Sequence, residues 1–125
     1  MPLVCPECFT PKSLEITFKL ELSPDSRSDE IALQIVECSH CGFAGIAVYE
    51  ESRRGALDSE SFEHTGYRIG VDDLKILKEA VKQCPEPENS RCECRVHRTF
   101  GRQDASGRWN ALDDLRFEGT FEMKL

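Results

Sequence analysis

Leu14, Ile16, Phe18, Leu20 and Leu22 alternate with Glu15, Thr17, Lys19 and Glu21, a period of two that predicts a half-buried strand over residues 14–22. The polar, proline-containing stretch 23–30 (SPDSRSDE) then reads as a loop. Two more strands are predicted, one over 31–37 with Ile31, Leu33 and Ile35 on one side, and one over 44–50, rich in small and β-branched residues. From Glu51 to Glu63 the periodicity is lost in a charged, serine-containing stretch, which predicts a surface linker with a boundary near Ser52. Residues 62–69 form a short extended segment. Asp72 and Asp73 open a helix, where negative charge suits the exposed N-terminal amides. Leu74, Leu77, Val81 and Cys84 recur on one helical face, and Pro85 stops the helix. Residues 92–100 read as extended, and Asp104–Gly107 carries turn chemistry before a returning segment, so a hairpin is expected across 91–109. Phe117, Gly119, Phe121 and Met123 alternate with polar residues in a final strand.

The fold class this predicts is α+β: a three-stranded antiparallel unit over 1–52, then a small unit over 53–125 with one helix and short antiparallel strands. At 125 residues the chain suits one compact domain or two small units. A unit of about 60 residues buries only about 60% of its unfolded surface and needs a metal, a disulfide or a partner.

Seven cysteines bear directly on that need. The N-terminus has no basic region followed by a long apolar run, and no stretch approaches the roughly 18 apolar residues of a membrane-spanning helix. The expectation is a cytoplasmic protein in a reducing compartment, where paired cysteines serve as metal ligands or redox centres rather than disulfides. Cys5-Pro6-Glu7-Cys8 and Cys38-Ser39-His40-Cys41 are separated by a strand, a loop and a strand. A strand pair running out and back returns the second cysteine pair beside the first, where four sulfurs close a tetrahedron at about 2.3 Å from zinc. Four thiolates leave no open coordination position, so this zinc is structural. His40, between two ligands, is expected to face solvent.

Cys5, Cys8, Cys38 and Cys41, with three antiparallel strands around them, resemble the zinc-ribbon fold group over about residues 1–52. The resemblance implies a zinc scaffold and no particular activity, because ribbons serve many functions.

Cys84, Cys92 and Cys94 surround the helix stop, and a histidine would complete a second site of three thiolates and one imidazole. His97 is the nearest candidate, but a regular strand from Cys92 points it to the opposite face, so the chain must bend near Arg95. His64 is the alternative. Equally, the three cysteines are compatible with simple burial in the core.

Charge adds one distinction. Residues 1–63 carry 5 basic and 12 acidic side chains and residues 64–125 carry 11 of each, so the net charge of -7 lies in the first half, which should repel phosphate. No nucleotide loop, metalloprotease helix or Ser/His/Asp order is present. The function these features favour is a non-catalytic zinc-binding module that mediates protein–protein interaction. The alternative is a nucleic-acid-binding, transcription-related ribbon protein using Arg91, Arg95, Arg98, Arg102 and Arg108 beside Phe100 and Trp109. An enzyme, for instance a zinc hydrolase, would need an open second site with Glu63, Glu86 or Glu93 as base.

Overall fold

The computed structural model describes residues 3–26, 28–52, 61–112 and 117–123. Five strands form one antiparallel sheet in chain order: β1 (Leu14–Leu22), β2 (Glu30–Cys38), β3 (Ala44–Ser52), β4 (Ser61–Ile69) and β5 (Phe117–Glu122). The helices are α1 (Val71–Val81) and α2 (Arg95–Phe100). The sheet thus continues past Ser52, with β4 paired to β3 from Ser52↔Ser61 to Ile46↔Tyr67. Most of the predicted linker, residues 53–60, lies outside the described residues. No helix among the described residues is long and apolar enough to cross a membrane.

The sheet is buried on both faces, and β2 shows why. Side chains alternate along a strand. Ile31, Leu33 and Ile35 belong to the main core, whereas Val36 and Cys38 belong to a second cluster with Leu3, Cys5, Leu14 and Ala47. α1 covers the first face, placing Leu74, Leu77 and Val81 against Leu33, Ile35, Ile46 and Val48.

The outer strands depart from the sequence reading in the same way. In β1 the pairing steps from Ile16↔Val36 to Phe18↔Ile35, so Thr17 is an extra residue opposite no partner. A one-residue slip transfers every following side chain to the other face. Leu14 and Ile16 therefore join the second cluster, while Phe18, Leu20 and Leu22 join the main core. The Thr17 hydroxyl donates to Glu37 Oε1 at 2.7 Å, which holds the bulge against β2. β5 repeats the device: Ile69↔Phe117 is followed by Arg68↔Gly119, Phe117 packs on the main core, and Phe121 and Met123 pack on the second cluster. The apolar stripes at both edges are thus divided between the two faces rather than serving one.

The Phe121 ring lies directly over Gly66, its cross-strand partner, where a Cβ would collide with ring carbons. Gly66→Ala is expected to push the ring away from Phe43, with which it makes an edge contact at 5.6 Å, and to cost about 1–3 kcal/mol. Chemical denaturation with an unchanged midpoint would refute this.

The segment 92–100 also differs from expectation. It becomes helical at Arg95 because the Cys94 sulfur accepts the backbone N–H of His97 at 3.4 Å, capping the turn. Of the predicted 91–109 hairpin, the described structure keeps the tip: the Asp104 carboxylate accepts the N–H groups of Ser106 and Arg108, and Gln103 bridges Trp109. This tip is fastened to the β1–β2 loop, where the buried Asp25 carboxylate accepts the Ser28 and Trp109 N–H groups at 2.6 and 2.8 Å.

Candidate metal centres

The first centre begins with the N-terminal strap. Leu3 exchanges two backbone hydrogen bonds with Leu14, at 2.7 and 2.9 Å, which lays residues 3–12 against the start of β1. Phe9 and Lys12 take positive φ to turn this short strap back on itself. At the far end of β2, Gly42 supplies the positive φ of the second turn, and Cys38 donates its N–H to Phe43 O at 2.7 Å. β1 and β2 are paired with Leu14 opposite Cys38, so the two turns meet.

Cys5, Cys8, Cys38 and Cys41 come together with all four sulfurs within 4.8 Å of one another. A tetrahedron with bonds of about 2.3 Å has edges of about 3.8 Å. The Cys5–Cys41 and Cys8–Cys38 separations are 3.6 and 3.8 Å. Backbone amides already point at the sulfurs: Glu7 N–H donates to Cys5, and His40 and Cys41 N–H groups donate to Cys38. Burial opposes ionisation of Cys38, but the Ser13 hydroxyl and the amides of Cys41 and His40 outweigh it, drawing the thiol down to about 5. Cys41 shows the opposite balance. The Phe43 amide favours its thiolate, yet burial and the Cys5, Cys38 and Cys8 sulfurs push it up to about 12. One thiolate forms readily and the next is resisted, an arrangement that a divalent cation among the sulfurs relieves. His40 is exposed and outside the cluster.

Arg68 ties this centre to the opposite edge of the sheet. Its guanidinium forms an ion pair with Glu7 and reaches Pro6 O at 3.5 Å. It also lies over Phe43 and Phe121, at 5.5 and 5.9 Å from the ring centroids. Arg68→Ala is expected to destabilise the fold by about 1–2 kcal/mol through the two lost cation–π contacts, and to weaken metal retention by the first centre. A chelator competition titration indistinguishable from wild type would remove Arg68 from this role. No pattern in the sequence marks this arginine, because its partners come from three separate places: the strap with Pro6 and Glu7, the turn before β3 with Phe43, and β5 with Phe121.

The second centre lies on the other face, near the end of β1. Cys84 follows α1, where its N–H donates to Val81 O, and Cys92 and Cys94 come from the connection to α2. The bend at Arg95 brings His97 back over Cys94, and His97, not His64, joins the three cysteines. Cys84 lies 3.9 Å from Cys92 and 3.4 Å from Cys94, while His97 Nδ1 is 3.2 Å from Cys84 and 3.4 Å from Cys94. These compare with edges of about 3.8 Å between sulfurs and about 3.5 Å between sulfur and nitrogen around zinc. The other ring nitrogen of His97, Nε2, is 2.8 Å from the backbone oxygen of Glu21. Donation to that carbonyl fixes the tautomer and leaves the Nδ1 lone pair aimed at the sulfurs, the usual support for a metal-binding histidine. Burial opposes the Cys94 thiolate, but the His97 amide and ring draw it down to about 6; burial, with help from Cys94 and Cys92, pushes Cys84 up to about 11.

His64 sits instead on β4, with Nε2 2.7 Å from Gln34 Oε1 and its ring edge-on to Tyr49; burial lowers its pKa. Glu63 pairs with Glu50 across β3 and β4, Glu86 accepts from Asn89 at the 84–92 turn, and Glu93 is exposed beside Cys92. None of the three belongs to a metal-ligating group among the described residues. Arg91, Arg95, Arg98 and Arg102 are exposed around α2, whereas Arg108 is folded against Asp25. Compared with family models, curated proteins and solved structures, the chain matches none.

Proposed function

We propose that the protein is a non-catalytic zinc-binding module. In this reading Cys5, Cys8, Cys38 and Cys41 hold one structural zinc in a ribbon-like first unit, and Cys84, Cys92, Cys94 and His97 hold a second. The observation that carries it is the pair of complete four-donor clusters, each with separations close to those of a tetrahedral zinc site. Three or four thiolates per site select a soft or borderline ion over magnesium or calcium, and a d10 zinc imposes no geometric preference that the protein must resist. A full set of protein ligands leaves no coordination position for water or substrate, which favours scaffolding over hydrolysis.

The two ions would divide the fold between them. The first joins the strap and β2 at one end of β1; the second joins α1, the 84–92 turn and α2 at the other, held to Glu21 roughly 23 Å along the strand. The surface so organised would serve recognition of another protein in the cytoplasm. Elemental analysis of purified protein after dialysis against a weak chelator is expected to return two zinc ions per chain. A yield of one would reduce the reading to a single-site module, and none would end it.

A further inference from the structure

We infer that the groove between α1 and α2 is a docking site for an acidic segment of a partner protein, one of whose large apolar side chains enters the groove. This inference deepens the interaction role proposed above and rests on it, since Cys94 and His97 are what would fix α2 beside α1.

The groove has a volume of about 320 Å³ and is lined by Ala80, Gln83, Arg95, Val96, Thr99 and Phe100. Its floor is apolar, with Val96 buried and Phe100 partly buried against the main core. Ile76 lies one turn before Ala80 on the same helix face and is 67% exposed, so the apolar strip continues beyond the groove onto open surface.

Charge selects the occupant. The chain carries a net -7, yet Arg95 is exposed at the groove itself, and Arg91 and Arg98 are exposed on the same short segment, Arg98 on the side of α2 that carries Glu93 and His97. Among the described residues none of these three arginines has a carboxylate within ion-pair distance, whereas Arg68, Lys19 and Lys78 each do. Arg95 both lines the groove and stands within this set, which joins the apolar and the cationic features in one site. An acidic segment with an apolar anchor satisfies both, in the manner of a buried anchor surrounded by a charged rim.

The same arginines could in principle meet phosphates, but the aromatic side chains needed to stack on bases are already engaged. Trp109 donates its indole N–H to Phe100 O at 2.6 Å, and both rings pack against the main core. Base stacking needs a free aromatic face. The surface around α2 therefore favours a carboxylate-bearing protein partner.

The test is fluorescence anisotropy on the metal-loaded full chain with three labelled probes: a helical peptide with Leu and Phe on one face and Glu elsewhere, the same peptide with Lys for Glu, and oligothymidylate. The Glu peptide is expected to bind and the Lys peptide not. The double variant Arg95→Glu with Arg98→Glu should weaken the Glu peptide by at least about tenfold, because like charges then face each other. Lys75→Glu, outside this groove, should leave it unchanged. Equal binding of the two peptides, or survival of binding in the double variant, overturns the inference. So does oligothymidylate binding that is lost in the double variant when the Glu peptide does not bind, which reassigns the face to nucleic acid. Metal per chain is measured on the same samples: failure of the wild type to bind the Glu peptide with both ions retained sinks the docking site alone, whereas absence of metal from the wild type sinks the zinc reading.

Discussion

Cys38→Ser, or equally Cys5→Ser, is expected to release the ion from the first centre and unfold the end of the sheet where β1 and β2 begin and finish. Structural zinc contributes on the order of 10 kcal/mol to small domains, against a total stability of about 5–15 kcal/mol, so losing one site approaches the whole margin. Both residues are well placed for a large effect: Cys5 is 0% and Cys38 6% exposed, and each is part of the cluster that includes Leu3, Leu14 and Val36. With a serine at either position the remaining sulfurs keep their proximity without a charge-balancing ion, and the strap through residues 3–12 is left to its Leu3–Leu14 bonds, the packing of Leu3, the Ser13 bond to Thr10 O and the Arg68 contacts with Glu7 and Pro6. The measurement is metal content together with a thermal melt. Full metal content and an unmoved transition in either variant would remove the first centre from the account.

His97→Ala should lose one of two metal ions while His64→Ala keeps both. The substitution at 97 removes the nitrogen ligand and also orphans the Glu21 carbonyl, so α2 loses its attachment to β1. The first centre, on the opposite face, is expected to retain its ion, and the β1–β2 end should remain folded by hydrogen exchange. His64→Ala instead leaves Gln34, only 5% exposed, without its 2.7 Å partner, a cost of about 1–3 kcal/mol with no change in metal. Reversal of the two outcomes would return the fourth ligand to His64.

The difference between those histidines shows what a linear reading can and cannot reach. The four-cysteine cluster is legible because two C-x-x-C turns and the strands between them are all local patterns, and out-and-back pairing follows from their lengths. The positions of β1, β2 and α1 follow from period and that of β3 from its small and β-branched residues, whereas β4 shows in the sequence only as a short extended segment with no sign that it joins the sheet. His97 is harder. Its place depends on a helix begun by Cys94 in a segment whose alternation suggests a strand, and a sulfur accepting an N–H leaves no mark in the sequence. The faces of β1 and β5 are harder still, because a bulge at Thr17 preserves the apolar alternation in the chain while reversing its meaning in space. Glu21 contributes through its carbonyl and Arg68 through a neighbour on β5, so neither has a signature that composition or spacing could display.

The two bulges have a consequence beyond the division of the core. β1 and β5 are the terminal strands of an open five-stranded sheet, and a straight terminal strand offers a ladder of amides and carbonyls on which a second sheet can grow. An extra residue at Thr17 and another beside Gly119 break the spacing of that ladder and increase the local twist. Glu118 and Glu122 are exposed along β5, so two copies brought edge to edge would also meet like charge. The irregularities that let each outer strand serve both faces therefore also make it a poor template for fibrillar self-association.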